Sequence, residues 1–440
     1  MRNLYLGSRF FYFFAGIILM FIVGFKYYAL FILGKVFLVV FTCFVGLDIF
    51  WLFQKSNSVI AARQLPKLFS LADENKITIA LQNNAARKLS VEVVDELPFQ
   101  FQVRDHSLHV DLQQGEARAM EYHLKPFKRG EYHFGNLNLF ISSILGLVSR
   151  RVVVPAEAMI PVYPSILQMK KYEQLAFNSV SMGHGIKKLR RIGSSYEFEQ
   201  IKTYVPGDDY RSINWKASSR LATLMVNQYE DERSQSVYSI IDKSRNMRMP
   251  FDGLSLMDYA VNSALVISNV VLQKNDKAGL LTFSDKIGSA IKADRKTSHL
   301  NKILAALYRE KPRDLEARYE LLYHSARKLI KGRSLLFLYT NFESTYAMER
   351  VLPILRKINR LHLLVVVFFT NTEVTKLANK KAKDTEAVYH QTIAKKFISE
   401  KQAIAQILRQ HKIQTILTDP ADLSINSINK YLELKARGLI

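Results

Sequence analysis

Residues 237–246 read Val-Tyr-Ser-Ile-Ile-Asp-Lys-Ser-Arg-Asn, an apolar run that ends abruptly in oxygen-bearing side chains. A short continuous apolar run of this kind suits a strand buried on both faces. The chain beyond it repeats the theme. Helical spacing over 254–273 leads to Ala278-Gly-Leu-Leu-Thr-Phe-Ser, a second strand, and then to helical stretches near 298–309 and 315–330. Leu335-Leu-Phe-Leu-Tyr-Thr and Leu363-Leu-Val-Val-Val-Phe-Phe are further strands, with helices at about 346–358 and 386–410. Ile413-Gln-Thr-Ile-Leu is the last strand, followed by a helix. Apolar strands alternating with helices imply a doubly wound, parallel α/β sheet covered on both faces over 236–440. Ligands of such sheets bind at the carboxyl ends of the strands.

At that end of the first strand, Asp242, Ser244 and Asn246 recur at every second position. In an extended loop this places three oxygen-bearing side chains on one side. Two readings stay open. The side chains cap the backbone that follows, or they face a hard cation such as Mg²⁺, which takes one or two carboxylates and keeps several waters.

The amino-terminal 53 residues set the surroundings. Residues 10–25 are apolar throughout, and 29–53 are apolar except for Lys35 and Asp48, with Lys26, Tyr27 and Tyr28 between the runs. Two such runs joined by a short link predict a transmembrane helical hairpin over 1–55. Lys35 and Asp48 are expected to snorkel near the span ends, and Tyr27, Tyr28 and Trp51 to sit in the interfacial belts. Arg2, Arg9, Lys55, Arg63 and Lys67 flank the outer ends, which predicts both termini and the bulk of the chain on the cytoplasmic side. The lone Cys43 lies in an apolar run and reads as a packing residue; it excludes an internal disulfide.

Between 56 and 165 the period changes to two. Ile77-Thr-Ile-Ala-Leu, Leu89-Ser-Val-Glu-Val-Val, Phe99-Gln-Phe-Gln-Val and Leu108-His-Val-Asp-Leu alternate apolar and polar residues, separated by turn signals. Short strands at this spacing predict a β-sandwich-like domain. Residues 166–235 read as a basic connector, with Lys187-Lys-Leu-Arg-Arg and a glycine-flanked His184. Within it, Tyr204-Val-Pro-Gly-Asp-Asp-Tyr-Arg-Ser-Ile-Asn-Trp-Lys-Ala-Ser-Ser-Arg packs a Pro206-Gly207 turn, an acid pair, a tryptophan and three basic residues into one segment. Asp208, Asp209, Arg211, Asn214, Trp215, Lys216 and Arg220 are expected to form an interdomain clasp, with Trp215 buried and the charges paired around it. An exposed Trp215 with unpaired charges instead marks a partner-binding surface.

Two resemblances sharpen this reading. Asp242-x-Ser-x-Asn, the later Asn275-Asp-Lys-Ala-Gly-Leu-Leu-Thr-Phe-Ser-Asp and the alternating pattern resemble a von Willebrand factor type A domain. That resemblance implies a metal-ion-dependent adhesion site on Asp242 and Ser244, with Asn246 where serine is usual, Thr297 for a later threonine and Asn341 where aspartate is usual. Pro206-Gly-Asp-Asp, Arg211, Ile213-Asn-Trp-Lys-Ala-Ser, Arg220 and Glu230-Asp-Glu-Arg resemble the family called domain of unknown function 58. Its resemblance extends over two membrane helices, a β-rich region and a type A-like domain, and implies a bacterial cytoplasmic-membrane protein partnered with a MoxR-type AAA+ ATPase.

The expected function is therefore a membrane-anchored, non-enzymatic interaction or assembly protein, with Mg²⁺ as its cofactor where the adhesion site holds one. Lys plus Arg is 62 against 39 Asp plus Glu, a net charge of +23 that suits anionic lipid or an acidic partner. The alternatives are a hydrolase using Asp208 and Asp209, whose adjacency leaves little room for a substrate between them, and a nucleic-acid binder, although the basic run lacks interleaved aromatics or a known recognition motif. No Walker A loop, His-Glu-x-x-His, Gly-x-Ser-x-Gly or Cys-x-x-Cys occurs.

Overall fold

A computed structural model describes residues 3–53, 59–103, 106–143, 145–177, 197–206, 208–230, 234–380 and 384–439. It divides into two compact units, Met1–Tyr163 and Pro164–Ile440.

The first unit contains helices α1 (Ser8–Gly24) and α2 (Tyr28–Leu52) and strands β1 (Leu4–Leu6), β2 (Val59–Gln64), β3 (Phe69–Ser70), β4 (Asn75–Asn83), β5 (Leu89–Asp95), β6 (Ser107–Leu112), β7 (Ala117–Leu124), β8 (Gly130–Phe134), β9 (Leu137–Ser142), β10 (Val148–Val154) and β11 (Ala158–Tyr163). The strands form sheets ordered β1-β10-β9-β5-β6, β3-β11-β8 and β2-β4-β7. All pairings are antiparallel except β3 with β11. Alternation along β4 and β5 buries Ile77, Ile79, Leu81, Val91 and Val93, as the period of two requires. The segment expected as a strand at Phe99 is instead a single 3₁₀ turn, Phe99–Phe101. Pro98 before it has no N–H for a ladder, and Gln102 after it turns left-handed with φ +54°.

Helix α2, with 25 residues, is long and apolar enough to cross a membrane; α1, with 17, is apolar but shorter. The two pack side by side, Phe21 against Phe31 and Phe10 against Phe41. Gly24 permits the tight return, since a Cβ there would come within 2.8 Å of the Phe31 backbone nitrogen. Cys43 is exposed on α2, not packed. Asp48 does not snorkel. It is fully buried, its Oδ2 accepting the backbone N–H groups of Leu147 (3.1 Å) and Val148 (3.0 Å) and its Oδ1 the Ser143 hydroxyl. Desolvating a carboxylate costs far less when several donors already face it.

The second unit carries helices α3 (Ile166–Phe177), α4 (Trp215–Leu221), α5 (Leu256–Gln273), α6 (His299–Arg309), α7 (Tyr319–Leu329), α8 (Thr345–Leu361), α9 (Thr372–Asn379), α10 (Thr385–Gln410) and α11 (Leu423–Ala436). Its strands are β12 (Glu197–Thr203), β13 (Met225–Glu230), β14 (Ser236–Asp242), β15 (Pro250–Phe251), β16 (Leu254–Ser255), β17 (Lys277–Phe283), β18 (Ile287–Asp294), β19 (Leu335–Tyr339), β20 (Leu363–Phe369) and β21 (Gln414–Thr418). The main sheet runs β18-β17-β14-β19-β20-β21. It is parallel except for β18, an antiparallel edge joined to β17 by a hairpin. One face is covered by α3, α5, α6 and α11, the other by α7, α8 and α10. Helix α5 starts on a capping box of Ser255 and Asp258 and is buried on nearly every side.

The basic connector expected at 166–235 is not one linker. Its first part is α3, whose Ile166, Met169 and Tyr172 pack on the core beside α5. The Ser165 N–H donates to Asn262 Oδ1 at 2.9 Å. Its last part is the β12–β13 hairpin. Lys187-Lys-Leu-Arg-Arg and His184 lie outside the described residues.

Asp48→Ala orphans two buried N–H groups and should cost roughly 2–4 kcal/mol, whereas Asp48→Asn, keeping one oxygen, should cost less. Thermal unfolding of the full chain in detergent measures this, and equal stability of Asp48→Ala and wild type would show that the carboxylate is not a fastening. On the main sheet, Leu338→Ala in β19, fully buried, should lower stability by about 2–5 kcal/mol in the same assay.

Candidate functional site at the carboxyl edge of the main sheet

From β14 the chain first adds β17 and β18 on one side, then β19, β20 and β21 on the other. The strand order therefore reverses between β14 and β19, and a crevice opens at their carboxyl ends. Asp242 ends β14, and Thr340 and Asn341 follow β19. The sheet thus brings together residues almost a hundred positions apart.

Asp242 is buried. Its Oδ1 accepts the Ser244 N–H at 2.8 Å and its Oδ2 the Thr340 hydroxyl at 2.7 Å. The Tyr319 and Thr340 hydroxyls lie 2.7 Å apart. Burial pushes the Asp242 carboxyl above its ordinary range, against these donors. The same burial, with the Asp242 charge, holds the Tyr319 phenol well above its own. Ser244 Oγ and Asn246 Oδ1 are shielded from solvent with no hydrogen-bond partner. Asn341 is buried, donating weakly to the Asn246 carbonyl at 3.4 Å.

Thr297 does not join them. It follows β18, whose Asp294 pairs with Ala278 near the start of β17, whereas Asp242 pairs with Phe283 at the end of β17. The antiparallel hairpin carries Thr297 to the opposite end of the sheet, where it is exposed. Sequence order could not reveal this, because β18 reverses the strand direction assumed for every element.

Two lysines supply cations beside the crevice. Lys243 Nζ lies 2.6 Å from Glu310 Oε2 with both side chains nearly buried. Glu310 Oε1 accepts the Thr282 hydroxyl at 2.8 Å and the Ser289 N–H at 3.0 Å. Burial raises the Glu310 carboxyl, but Lys243, Ser289 and Thr282 outweigh it, and Glu310 titrates below its ordinary range. Lys401, on α10, donates to Asn341 Oδ1 at 2.8 Å and to the Phe342 carbonyl. Sequence reading missed Lys401 entirely.

These residues fit a Mg²⁺ ion poorly. One carboxylate is available, and both its oxygens already accept internal hydrogen bonds. Asn341 Oδ1 faces an ammonium, which would repel a second cation. No group of three or more His, Cys, Asp and Glu side chains with metal-binding geometry occurs among the described residues. The unpartnered Ser244 and Asn246 oxygens are the one feature in its favour.

The 204–220 segment lies between β12 and β13. Asp208 accepts Lys202 Nζ at 2.8 Å and the Val205 N–H at 3.1 Å, and both hold its carboxyl below the ordinary range. Asp209 accepts the Arg211 N–H at 3.0 Å and caps the turn Tyr210–Ser212. Asn214 caps α4 through the Ala217 N–H at 3.0 Å and donates to Asn227 Oδ1 at 2.8 Å. Trp215, expected to be buried, is 70% exposed, and Tyr210 is 68% exposed. Arg211 lies over the Tyr210 ring at 5.7 Å. Lys216 and Arg220 are exposed on α4, and no ion pair joins them to Asp208 or Asp209. Among the described side chains of the hairpin and its seven-residue helix, Met225 and Val226 are the buried apolar ones, and a two-stranded ribbon offers little core to cover a tryptophan. Pro206 is exposed in the turn, and Gly207 lies outside the described residues.

Residues 200–412 match the family model described as Protein of unknown function DUF58. The match takes in the signature and most of the main sheet, just under half of the 440-residue chain. A curated relative, the Uncharacterized protein YeaD of Bacillus subtilis (strain 168), is 26% identical over 127 residues, 29% of this chain and 31% of its own length. The aligned part thus spans about a third of that relative. Among solved structures, the conserved hypothetical protein BatB of Bacteroides thetaiotaomicron is 14% identical, with 47% of this chain and all of that chain covered and a TM-score of 0.29. A CARDB domain from Pyrococcus furiosus is 12% identical over 23% of this chain and 90% of its own, with a TM-score of 0.16. Both scores are low, and the fold rests on the chain's own sheet topology.

Glu310→Gln leaves the Lys243 ammonium buried without its counter-charge and should cost about 3–5 kcal/mol. Because the folded carboxyl titrates below its ordinary 4.5, its stabilisation is complete above that pH and is lost as pH falls through the folded value. Denaturant unfolding at several pH values should show an acid-side loss in wild type that the Gln variant lacks; matching profiles would rule the pair out as a source of stability.

Proposed function

We propose that the chain is a membrane-anchored, non-enzymatic interaction protein whose exposed signature segment docks a partner of a MoxR-type AAA+ ATPase kind in an assembly or chaperone-like role. The observation that carries this is the exposure of Trp215 and Tyr210, at 70% and 68%, amid Arg211, Lys216 and Arg220 inside the matched region. Exposed aromatics flanked by arginine are the usual anchors of protein interfaces, and water is a poor neighbour for a tryptophan ring. Asp208 and Asp209 support the same reading. Their oxygens hold the loop's own backbone and Lys202, so the loop is a rigid pedestal rather than an acid pair around a substrate.

The anchor is α2, with α1 as the shorter partner of a two-pass hairpin in a bacterial cytoplasmic membrane. Packing of Phe21 on Phe31 and the close approach at Gly24 favour a pair that inserts together. The parallel sheet with one antiparallel edge, and Asp242-x-Ser-x-Asn at its switch point, support a type A-like domain. The +23 charge favours anionic lipid or an acidic partner over a neutral one.

The test is direct binding between the full chain in nanodiscs and a purified MoxR-type ATPase from the same organism. Wild type should bind. Trp215→Ala should weaken binding by about thirtyfold, the size of a hot-spot residue, with an unchanged melting temperature. Charge reversal at Arg211 and Lys216 should steepen the loss at low salt. If the ATPase does not bind, or if Trp215→Ala binds as wild type, the reading fails.

A further inference from the structure

We infer that the carboxyl edge of the main sheet holds a metal-free binding site for a small apolar carboxylate, with Lys401 as its anion-binding group. This site is separate from the signature segment and does not depend on the docking reading. A cavity of about 280 Å³ lies there, walled by Met249, Phe251, Phe369, Val374 and Phe397, with Asn341 and Lys401 at its polar end. Its walls come from the loop after β14, the ends of β19, β20 and β21, and helices α9 and α10. Concave, mostly apolar and with a few convergent polar groups, it has the form of a ligand site. It is slightly smaller than the roughly 300 Å³ at which drug-sized pockets begin, which suits one side chain or a small acid.

The Lys401 ammonium has three N–H groups. Two acceptors face it among the described residues, Asn341 Oδ1 and the Phe342 carbonyl, and both are neutral. No carboxylate lies within ion-pair distance of it among the described residues. Glu343, which also lines the cavity, and Glu400 on α10 act on it through space. Burial, outweighing the opposing pull of those two carboxylates, pushes Lys401 down to about 8. A partly buried ammonium whose hydrogen-bond acceptors are both neutral gains from an anion that brings its own charge into contact. The apolar walls select an anion carrying a hydrocarbon body, and a single cation selects one negative charge. Asn341, which the metal reading assigned to a cation, here orients the lysine that takes the cation's part.

The experiment uses the full chain in nanodiscs, with empty nanodiscs as the control, and titration calorimetry. The probes are N-acetyl-phenylalanine, its uncharged amide, acetate, and a tetrapeptide ending in phenylalanine. At about pH 7 the acid should bind at least about tenfold tighter than the amide, and acetate should not register. Binding of the acid needs the protonated lysine, so affinity should fall roughly thirtyfold by about pH 9.5 for a group titrating near 8. Lys401→Met should erase the preference of acid over amide. Val374→Trp fills the cavity from α9 while leaving the Lys401 side chain in place and should abolish binding of both, which keeps the test open if Lys401→Met fails to fold. Tighter binding of the tetrapeptide assigns a polypeptide carboxyl terminus, and binding of the small acid alone assigns a free carboxylic acid; either supports the site. Equal binding of acid and amide, no binding of any probe, or retained preference in Lys401→Met overturns it. None of these outcomes touches the ATPase result.

Discussion

Strands β19 and β20 are buried along their whole length on both faces, and β14 along all but its first residue, and that constraint organises the second unit. A strand with no wet face has no place along it for an unpaired polar side chain, because each would cost several kcal/mol, of order 2–7. Polar side chains therefore collect where the strands end. Asp242, Thr340, Asn341 and Thr370 all occupy those ends, and the reversal of strand order between β14 and β19 opens the crevice they share. The helices on either face are obligatory cover, since a parallel sheet cannot leave one side to water. Even α3, which reads as connector in the sequence, is drawn into that cover by Ile166, Met169 and Tyr172.

The first unit solves a different problem with a similar device. A carboxylate buried on an apolar helix must find donors, and Asp48 finds three at and just before the start of β10. The same contact spares Leu147 and Val148 from burying bare N–H groups. Both sides of the bond thus need each other, which makes Asp48 a fastening between the apolar helix and the five-stranded sheet. Arg150 adds to it, donating to the Leu52 carbonyl at the helix end at 3.0 Å.

Most of the architecture was legible because burial leaves a periodic trace. Continuous apolar runs marked β14, β17, β19, β20 and β21, and alternation marked β4, β5 and β6. Alternation misled at Phe99, where Pro98 and the left-handed Gln102 decide the backbone locally. It was overlooked at β18, whose weaker pattern of Ile287, Ser289, Ile291 and Ala293 marks a half-buried edge. The site was legible only in part. Asp242 announced itself by falling at a strand end, and Asn341 came into view only through the type A resemblance. Lys401 gave no signal, being one of several lysines on α10, some 60 positions from its Asn341 acceptor. Thr297 was placed wrongly because spacing carries no information about strand direction. Trp215 was placed wrongly because apolarity reports that a side chain avoids water, not which molecule covers it.

That last distinction separates the two surfaces of the second unit. The signature segment exposes Tyr210 and Trp215 on a loop tied down by the Asp209 and Asn214 caps, so under the proposed docking its aromatics would be covered by a large partner surface. The crevice at the sheet edge is concave, and Lys401 is partly buried in it against neutral acceptors, so under the proposed anion site the gain lies in electrostatics. Preorganised, dehydrated charge binds small anions well because the cost of removing water has been met in folding. Exposed Tyr210 and Trp215 beside Arg211 instead gain by burying ring area against a partner. The two proposed contact modes thus differ in scale: the first needs a broad covering surface, the second one small charged group held at the ends of the buried strands.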